Sequence, residues 1–471
     1  MAEPSASVDE SLAEGASSPI RNERGDLSPR FVASIRPAIE TGDVAELKSL
    51  VAPLHEADVG DLLEALSPDE RTGLVRSLGD DFDFAVLTEL DDKLRARLIE
   101  ALPPDQIVEG VKRLDSDDAV TILEDIPEEE RQIILGRLPH PDRAAVSRSL
   151  EYPEDSAGRL MQTEFIAVPP FWDVGRTIDY LREEEDLPDE FHRLIVIDAG
   201  FHPIGMVALD RLLRSKRPTA ISDITDSDIH AVKAADDQEH VARLFELYNL
   251  VTAPVVDDDG RLVGVITVDD IVDVIEEEAE EDIRRLAGIG NEETTDAVAH
   301  VARSRVPWLL VNVLTGFLAA AVIGLFDGTI EQMVALAVLM PIVASMGGNA
   351  GTQAMTVTVR AIATRDIAAR AAYRVIGREA MVGLINGLVV ALCVGLGAGL
   401  WFASPALGTV IAVALIVNIV VAGLVGAMIP LALDRLGIDP AVASGVILTA
   451  VTDVTGFFVF LGLAGWWFGF L

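Results

Sequence analysis

The amino-acid sequence predicts a multidomain membrane protein with an all-α superhelical N-domain, an α+β tandem pair, a connecting helix and a five-span α-helical transmembrane bundle. Three observations predict this class. Short leucine-rich helices fill residues 30–150, a strand–turn–strand–helix unit occurs twice in residues 151–280, and every apolar segment long enough to cross a bilayer lies in residues 305–471. A polar, disordered tail is expected at residues 1–28 and an acidic connecting helix at residues 269–304.

The charge is divided sharply along the 471 residues. The net charge is −39, yet the segment from Arg305 to the end has seven Lys and Arg against seven Asp and Glu, so the first 304 residues carry all of it. Such an acidic surface repels nucleic acid and attracts cations. Because lysine is scarce and arginine plentiful, much of the acidity is equally consistent with keeping a protein hydrated in strong salt.

Helix-start signals recur in the N-domain. Proline next to acidic residues stands in residues 67–70, 103–106 and 127–130, and apolar residues at helical spacing follow. In the tandem pair, each copy has a β-branched strand that ends at an aspartate, Asp198 or Asp257, and then a second strand. Two such copies make a pseudo-symmetric pair with a cleft between them.

Apolar segments place five spans, at residues 306–326, 332–358, 380–402, 407–433 and 441–468. Five arginines separate the second span from the third: Arg360, Arg365, Arg370, Arg374 and Arg378. By the positive-inside rule this loop is cytoplasmic, which predicts cytoplasmic N-terminal domains and a C-terminus outside the cell membrane. The N-terminus has no apolar core of the kind a signal peptide needs, which agrees with that orientation.

Asp453 is the residue that most strongly predicts a function. It lies about 18 Å into the last predicted span, at 1.5 Å per residue, where a carboxylate costs about 2.5–3.5 kcal/mol. The structural alternative is an ion pair with a neighbouring helix, but no Lys, Arg or His lies deep in any predicted span. We therefore interpret Asp453, with the hydroxyl of Thr452 beside it, as part of an ion site.

Two further polar groups extend this prediction. Asn349, Thr352, Gln353 and Thr356 fall on one face of the second span, either as ion ligands or as polar groups in a helix-packing site of small residues. Asp439 begins the fifth span, where it either caps that helix or serves the ion.

The available ligand types select the ion. All seven histidines precede the first span and Cys393 is the lone thiol, so carboxylate, amide, hydroxyl and carbonyl oxygens remain. These suit Mg²⁺, Ca²⁺ or Mn²⁺ better than Zn²⁺ or Cu⁺. One aspartate per chain is too little for a cage, which favours a homodimer with a shared pore.

An acidic run in residues 269–282 leads towards the membrane. Asp270, Asp273, Glu277 and Glu281 follow helical spacing, so like charges line one face and destabilise the helix. The run is either a solvated face or an interface that bound Mg²⁺ holds together.

Several long motifs in the same order resemble the MgtE family of magnesium channels. They are residues 347–353, 360–366, 436–440 and 452–456, and the resemblance extends over the helical N-domain, a tandem CBS pair and the five spans. It implies a Mg²⁺-selective channel or transporter for uptake, a homodimer in the cell (inner) membrane, and negative feedback by cytosolic Mg²⁺. The pore positions that it implies are Asp453, Asp439 and Asn349, and Thr452 is added to them because its hydroxyl lies next to Asp453 in the sequence.

The resemblance also implies acids that bind regulatory Mg²⁺ and hold the connecting helices closed over the pore. These are Asp117, Asp237, Glu239, Asp270, Asp273, Glu278, Glu281 and Asp282. CBS pairs often bind adenine nucleotides, and Thr267 and Asp270 fit the ribose-binding pattern of the second copy, so ATP is a further expected ligand.

Alternative functions stay open at this point. A carrier or exchanger for a broader set of divalent cations (Mn²⁺, Co²⁺, Ca²⁺) has the same ligand types. A membrane-anchored CBS sensor without transport is a second alternative, although an anchor has no use for Asp453. The sequence has no nucleophile–base set, Walker loop or metal–histidine motif, so we expect no enzyme.

Overall fold

The computed structural model describes residues 20–470 except residues 23–24, 185–186, 189, 290–297, 364–371 and 437. The predicted tail therefore lies mostly outside the described residues, as do Arg365 and Arg370. The chain forms two compact units, Met1–Ile275 and Glu276–Leu471, which are described separately.

Within its described residues, the first unit begins with nine α-helices and two short 3-10 helices. They are α1 (Pro29–Thr41), α2 (Val44–Val51), α3 (Glu56–Ala65), α4 (Pro68–Leu78), the 3-10 helices Gly79–Asp81 and Phe84–Leu87, α5 (Asp92–Glu100), α6 (Pro104–Val111), α7 (Ser116–Glu124), α8 (Glu128–Leu135) and α9 (His140–Ser149). Their leucines, such as Leu62, Leu63 and Leu74, are fully buried in one shared core.

The helix-start signals of the sequence are confirmed. α4 begins at Pro68 behind Ser67, whose backbone N–H donates to the Glu70 carboxylate at 2.8 Å in a capping box. α6 and α8 begin at Pro104 and Glu128, directly after the prolines that cannot continue a preceding helix.

The rest of the first unit is the predicted tandem pair. Its elements are α10 (Ala157–Leu160), β1 (Ala167–Val168), α11 (Val174–Glu183), β2 (Arg193–Ile197), β3 (Pro203–Ala208), α12 (Leu209–Arg214), α13 (Ile221–Ile224), β4 (Val232–Lys233), α14 (Gln238–Tyr248), β5 (Thr252–Val256), β6 (Leu262–Thr267) and the start of α15 (Val268–Ala287), whose residues from Glu276 onward belong to the second unit. Each copy has a three-stranded sheet in which a parallel pair is followed by an antiparallel pair.

α15 is the acidic connecting helix, and it is shorter than residues 269–304. It ends at Ala287 because Gly288 adopts a left-handed conformation (φ 69°) in which its N–H donates to the Arg285 carbonyl at 3.0 Å. Residues 290–297 lie outside the described part, and the next helix begins at Val298.

In the part of the second unit that the structure describes, five helices are long and apolar enough to cross a membrane, as predicted. Its elements are α16 (Val298–Gly324), the short α17 (Asp327–Gln332), α18 (Ala335–Ala363), α19 (Ala372–Trp401), α20 (Pro405–Arg435) and α21 (Pro440–Phe468). α16 and α19 each begin eight residues before the predicted spans. Hydropathy marks only where the apolar residues of a span begin, and a helix can start earlier, in the polar residues that precede them. α20 is the most buried of the five and packs against α18, α19 and α21.

Candidate functional site: a carboxylate within the transmembrane helices

Asp453 lies within α21, and its side chain is half-buried. Among the residues that the structure describes, none forms an ion pair or a hydrogen bond with its carboxylate. The ion-pair alternative considered from the sequence therefore finds no support in this chain. An unpaired acid in an apolar helix is costly, so its presence indicates a function.

α18 brings its polar face to the level of Asp453. A Cβ on Gly351 would meet the Leu448 side chain at 2.7 Å, and one on Gly456 would meet Val343 at 3.1 Å, so α18 and α21 pack closely and run antiparallel. Asn349 falls between the α18 contacts and Asp453 between the α21 contacts. The two residues therefore lie within about one helical turn of the same level of the helix bundle.

The other polar residues of this region divide into two groups. Asn349, Thr352, Gln353 and Thr356 are all exposed on α18 and available to a ligand or a partner helix. Thr452 is fully buried, and its hydroxyl donates to the Thr449 carbonyl of its own helix at 3.1 Å. In this state Thr452 therefore stabilises α21.

Asp439 stands just before α21 and accepts a hydrogen bond from the guanidinium of Arg285 on α15. Arg285 also forms an ion pair with Glu281 one turn earlier. Burial works against the charge of Arg285, but Asp439 and Glu281 outweigh that effect and raise the pKa of the guanidinium. The sequence did not predict this contact, which gives Asp439 a cation supplied by the chain itself.

A hydrophobic contact accompanies this ion pair. Leu286, next to Arg285, packs against a cluster formed by Met355 and Val359 of α18 and Leu448 of α21. The end of α15 is thus attached to the transmembrane helices by one charged residue and one apolar residue, which we call the α15 latch (Arg285 and Leu286).

The predicted regulatory acids Asp117 and Asp270 interact within the first unit, and Asp118 joins them. Burial and the nearby Asp270 raise the pKa of Asp117 well above its usual value. Burial and Asp117 raise the pKa of Asp118 to about 8, and burial and Asp269 raise that of Asp270 to about 7. Carboxylates held this close without a compensating charge form a site that favours a cation.

The remaining predicted acids are more scattered. Asp273 raises the pKa of Glu89, although burial of Glu89 is the larger cause. Asp237 accepts a hydrogen bond from the Glu239 N–H at 3.0 Å, which begins α14. Burial and then Asp439 raise the pKa of Asp282, while Glu278 and Glu281 favour the charge on Arg285.

These acids do not form a compact metal cage. Within the described residues, no three His, Cys, Asp or Glu side chains are grouped closely enough to hold a metal ion directly. Mg²⁺ commonly keeps several waters and needs only one or two carboxylates, so the donor set of Asp117, Asp118 and Asp270 fits a hydrated Mg²⁺. At the predicted nucleotide position, the Thr267 hydroxyl donates to the Asp270 carboxylate at 2.9 Å, and ATP binding there stays a prediction.

Comparison with known proteins identifies the family to which the chain belongs. Three family models match: a divalent cation transporter at residues 340–463, the MgtE intracellular N domain at residues 54–155, and CBS domains at residues 157–217 and 221–277. The magnesium transporter MgtE of Enterococcus faecalis is 34% identical over 448 residues, which cover 94% of this chain and 98% of that protein. The chain belongs to the MgtE family of magnesium transporters.

Other MgtE proteins extend the match. The magnesium transporter MgtE of Thermus thermophilus is 32% identical over 456 residues, covering 93% of this chain and 98% of that protein. Among solved structures, the cytosolic domain of the Mg²⁺ channel MgtE in complex with ATP is 30% identical, with a TM-score of 0.49 over 52% of this chain and 99% of that chain. The predicted family, CBS pair and transmembrane class are confirmed, and the family is one of transporters.

Sequence reasoning missed a buried acid in this MgtE chain. Glu379 on α19 is only 8% exposed and lines a cavity of about 250 Å³ with Gln353, Arg378 and Asn386. Within the described residues its carboxylate has no ion-pair or hydrogen-bond partner. Placing the third span at residue 380 left it outside the membrane, and the adjacent apolar run was the signal that could have found it.

The raised pKa values of Asp117, Asp118 and Asp270 predict that the stability of α7, which carries the first two of these acids, depends on pH. Each of these acids has a higher pKa in the folded chain than in the unfolded chain, so the folded state is favoured while the acids are protonated. This contribution to stability is lost as the pH rises from about 4 to about 8, where the acids ionise. In a chelator, we expect amide exchange of α7, corrected for the intrinsic rate, to accelerate by at least about tenfold between about pH 6 and about pH 8.

Two controls sharpen that measurement. Asp118→Asn should remove much of the pH dependence, and millimolar Mg²⁺ should restore protection at the higher pH in the unmodified chain. Equal protection of α7 at both pH values in the chelator would contradict the electrostatic interpretation.

Proposed function

We propose that the chain is a Mg²⁺-selective channel or transporter for magnesium uptake that works as a homodimer and is closed by cytosolic Mg²⁺. The observation that carries this proposal is Asp453, a half-buried acid within a transmembrane helix that has no partner among the described residues and lies within about one helical turn of the level of Asn349. Membership of the MgtE family is the reason for choosing Mg²⁺ as the ion, and the Asp453 carboxylate is the group that we propose binds it.

Hydration chemistry supports two copies around one ion. Mg²⁺ gives up water reluctantly and is usually bound through one or two carboxylates with waters retained. Two Asp453 carboxylates across a two-fold axis provide that number, and Asn349 with the exposed polar residues of α18 provides acceptors for the retained waters. A divalent cation between the two carboxylates would neutralise both and so offset the cost of placing each charge in the bilayer.

The α15 latch supports a closed state. Arg285 neutralises Asp439, so in this state the carboxylate at the start of α21 is not available to attract a divalent cation. Leu286 adds an apolar contact that persists in high salt, where an ion pair weakens. Release of the latch would expose Asp439 and open the approach to Asp453.

The acids of the first unit supply the sensor. Asp117 and Asp118 on α7 and Asp270 on α15 repel one another when no cation compensates them, which separates the elements that carry them. When these acids hold Mg²⁺, that repulsion is removed. Because α15 carries Asp270 near its start and the latch near its end, the sensor acids can bias the latch. This gives negative feedback.

The proposed orientation places both cytosolic domains inside and the C-terminus outside a cell membrane. Arg374 and Arg378 lie at the start of α19, and Arg360 lies at the end of α18, on the side that the positive-inside rule assigns to the cytoplasm. That side also bears the connection to α15.

The decisive variant is Asp453→Ala in proteoliposomes. We expect Mg²⁺ influx to fall by at least about tenfold, because one lost charged ligand exceeds about 1.4 kcal/mol. Asp434→Ala is the matched control, since Asp434 is an exposed acid at the end of α20 and should leave influx near normal. Undiminished influx in Asp453→Ala would overturn the ion site, and no influx in the unmodified chain would favour a sensor. Equal influx of Mn²⁺ or Ca²⁺ would favour the broader carrier.

The latch is tested by Arg285→Gln, measured as Mg²⁺ influx at high cytosolic Mg²⁺. We expect inhibition to require more Mg²⁺, by about twofold to fivefold, because a partly exposed ion pair contributes about 0.2–1 kcal/mol. Arg284→Gln is the matched control, since Arg284 pairs with Glu280 of its own helix at 3.3 Å. If both variants behave alike, the contact with Asp439 has no part in closing.

A further inference from the structure

Asn418 is a polar residue in an otherwise apolar stretch of α20, and the proposed ion site does not use it. It is fully buried among the transmembrane helices. A buried carboxamide is costly unless it is hydrogen-bonded, and an aliphatic residue would be the ordinary occupant of such a position.

Two glycines on different helices make room for this side chain. A Cβ on Gly347 of α18 would lie 2.3 Å from Asn418 Nδ2, and a Cβ on Gly456 of α21 would lie 2.7 Å from the same atom. Asn418 Nδ2 donates to the Val343 carbonyl of α18 at 2.9 Å. The carboxamide is therefore wedged between α18 and α21 and attached to one of them.

The wedge lies beside the level of the proposed ion site. Gly347 is two residues before Asn349, and Gly456 is three residues, about one helical turn, after Asp453. A change in the separation of α18 and α21 at these glycines would therefore move both side chains.

The cost of the wedge indicates more than packing. Asn418 Oδ1 is buried and has no hydrogen-bond partner within the described residues. An unsatisfied buried acceptor destabilises a fold, whereas an apolar side chain of similar shape carries no such penalty.

We infer that Asn418 is a positioning residue that fixes the separation of α18 and α21 and thereby the preference of the ion site for Mg²⁺ over Ca²⁺. The inference rests on the proposed function of Asp453. Mg²⁺ binds oxygen at about 2.0–2.1 Å and Ca²⁺ at about 2.3–2.6 Å, so a shift of a few tenths of an ångström between the two helices changes which ion fits.

The packing part is tested by thermal unfolding of the full chain in detergent, with Gly347→Ala, Asn418→Ala and the double variant that combines them. Gly347→Ala should unfold far more readily than the unmodified chain, because its methyl group overlaps Asn418. Asn418→Ala combined with Gly347→Ala should regain most of the loss, because the smaller side chain vacates the space that the methyl group needs.

Gly408→Ala is the matched control for that rescue. A Cβ there would meet the Gly395 carbonyl of α19 at 2.4 Å, away from Asn418. Its destabilisation should remain when Asn418→Ala is added. A tolerated Gly347→Ala, or a double variant no more stable than Gly347→Ala, would overturn the wedge.

The functional part is the ratio of Mg²⁺ to Ca²⁺ influx in proteoliposomes. We expect Asn418→Ala to lower this ratio by about tenfold, since ligand displacements below 1 Å have effects of that order. An unchanged ratio in a well-folded Asn418→Ala would show that the amide only fills space and would overturn the positioning role. Loss of the proposed function is recognised separately, because the unmodified chain would then carry no Mg²⁺ while the stability coupling persisted.

Discussion

The carboxylate of Asp453 in an apolar helix bundle is the constraint on which the rest of the membrane unit depends. Within the described residues it has no charged or hydrogen-bonded partner, so the chain bears the cost of placing it there. α18 carries a run of exposed polar side chains near the level of Asp453. Glycines in α18 and α21 allow these two helices to approach each other closely. Close approach also explains why the wedge at Asn418 matters to the site.

A second constraint is that of like charges. Burial, and then the neighbouring acids, raise the pKa values of Asp117, Asp118 and Asp270, so placing charge on these carboxylates is costly in the folded chain and a bound cation would reduce that cost. Arg285 relieves a similar problem at Asp439 with a guanidinium from the chain itself. A carboxylate that is stabilised by a cation thus recurs at the proposed sensor, at the α15 latch and at the proposed ion site.

Features encoded in local pattern were predictable from the sequence. Residue spacing and composition predict the helices that begin at Pro68 and Pro104, the tandem strands and the five apolar helices. Asp453 was recognisable as a functional residue because no Lys, Arg or His lies deep in any predicted span. The contacts of Arg285 and Asn418 were not predictable, because each partner lies on a helix distant in sequence. The burial of Glu379 was not predicted, because the third span was placed from residue 380 onward, where the apolar residues begin, whereas α19 begins at Ala372.

We propose that two Asp453 side chains share one hydrated divalent cation. The most direct measurement is a structure of the full chain in a lipid bilayer with Mn²⁺ in place of Mg²⁺, located by its anomalous scattering. We expect a Mn²⁺ peak on a two-fold axis between the Asp453 carboxylates of two copies, within about one helical turn of the level of Asn349. A structure in which Asp453 pairs with a basic side chain, or in which the peak lies elsewhere along the helices, would contradict it.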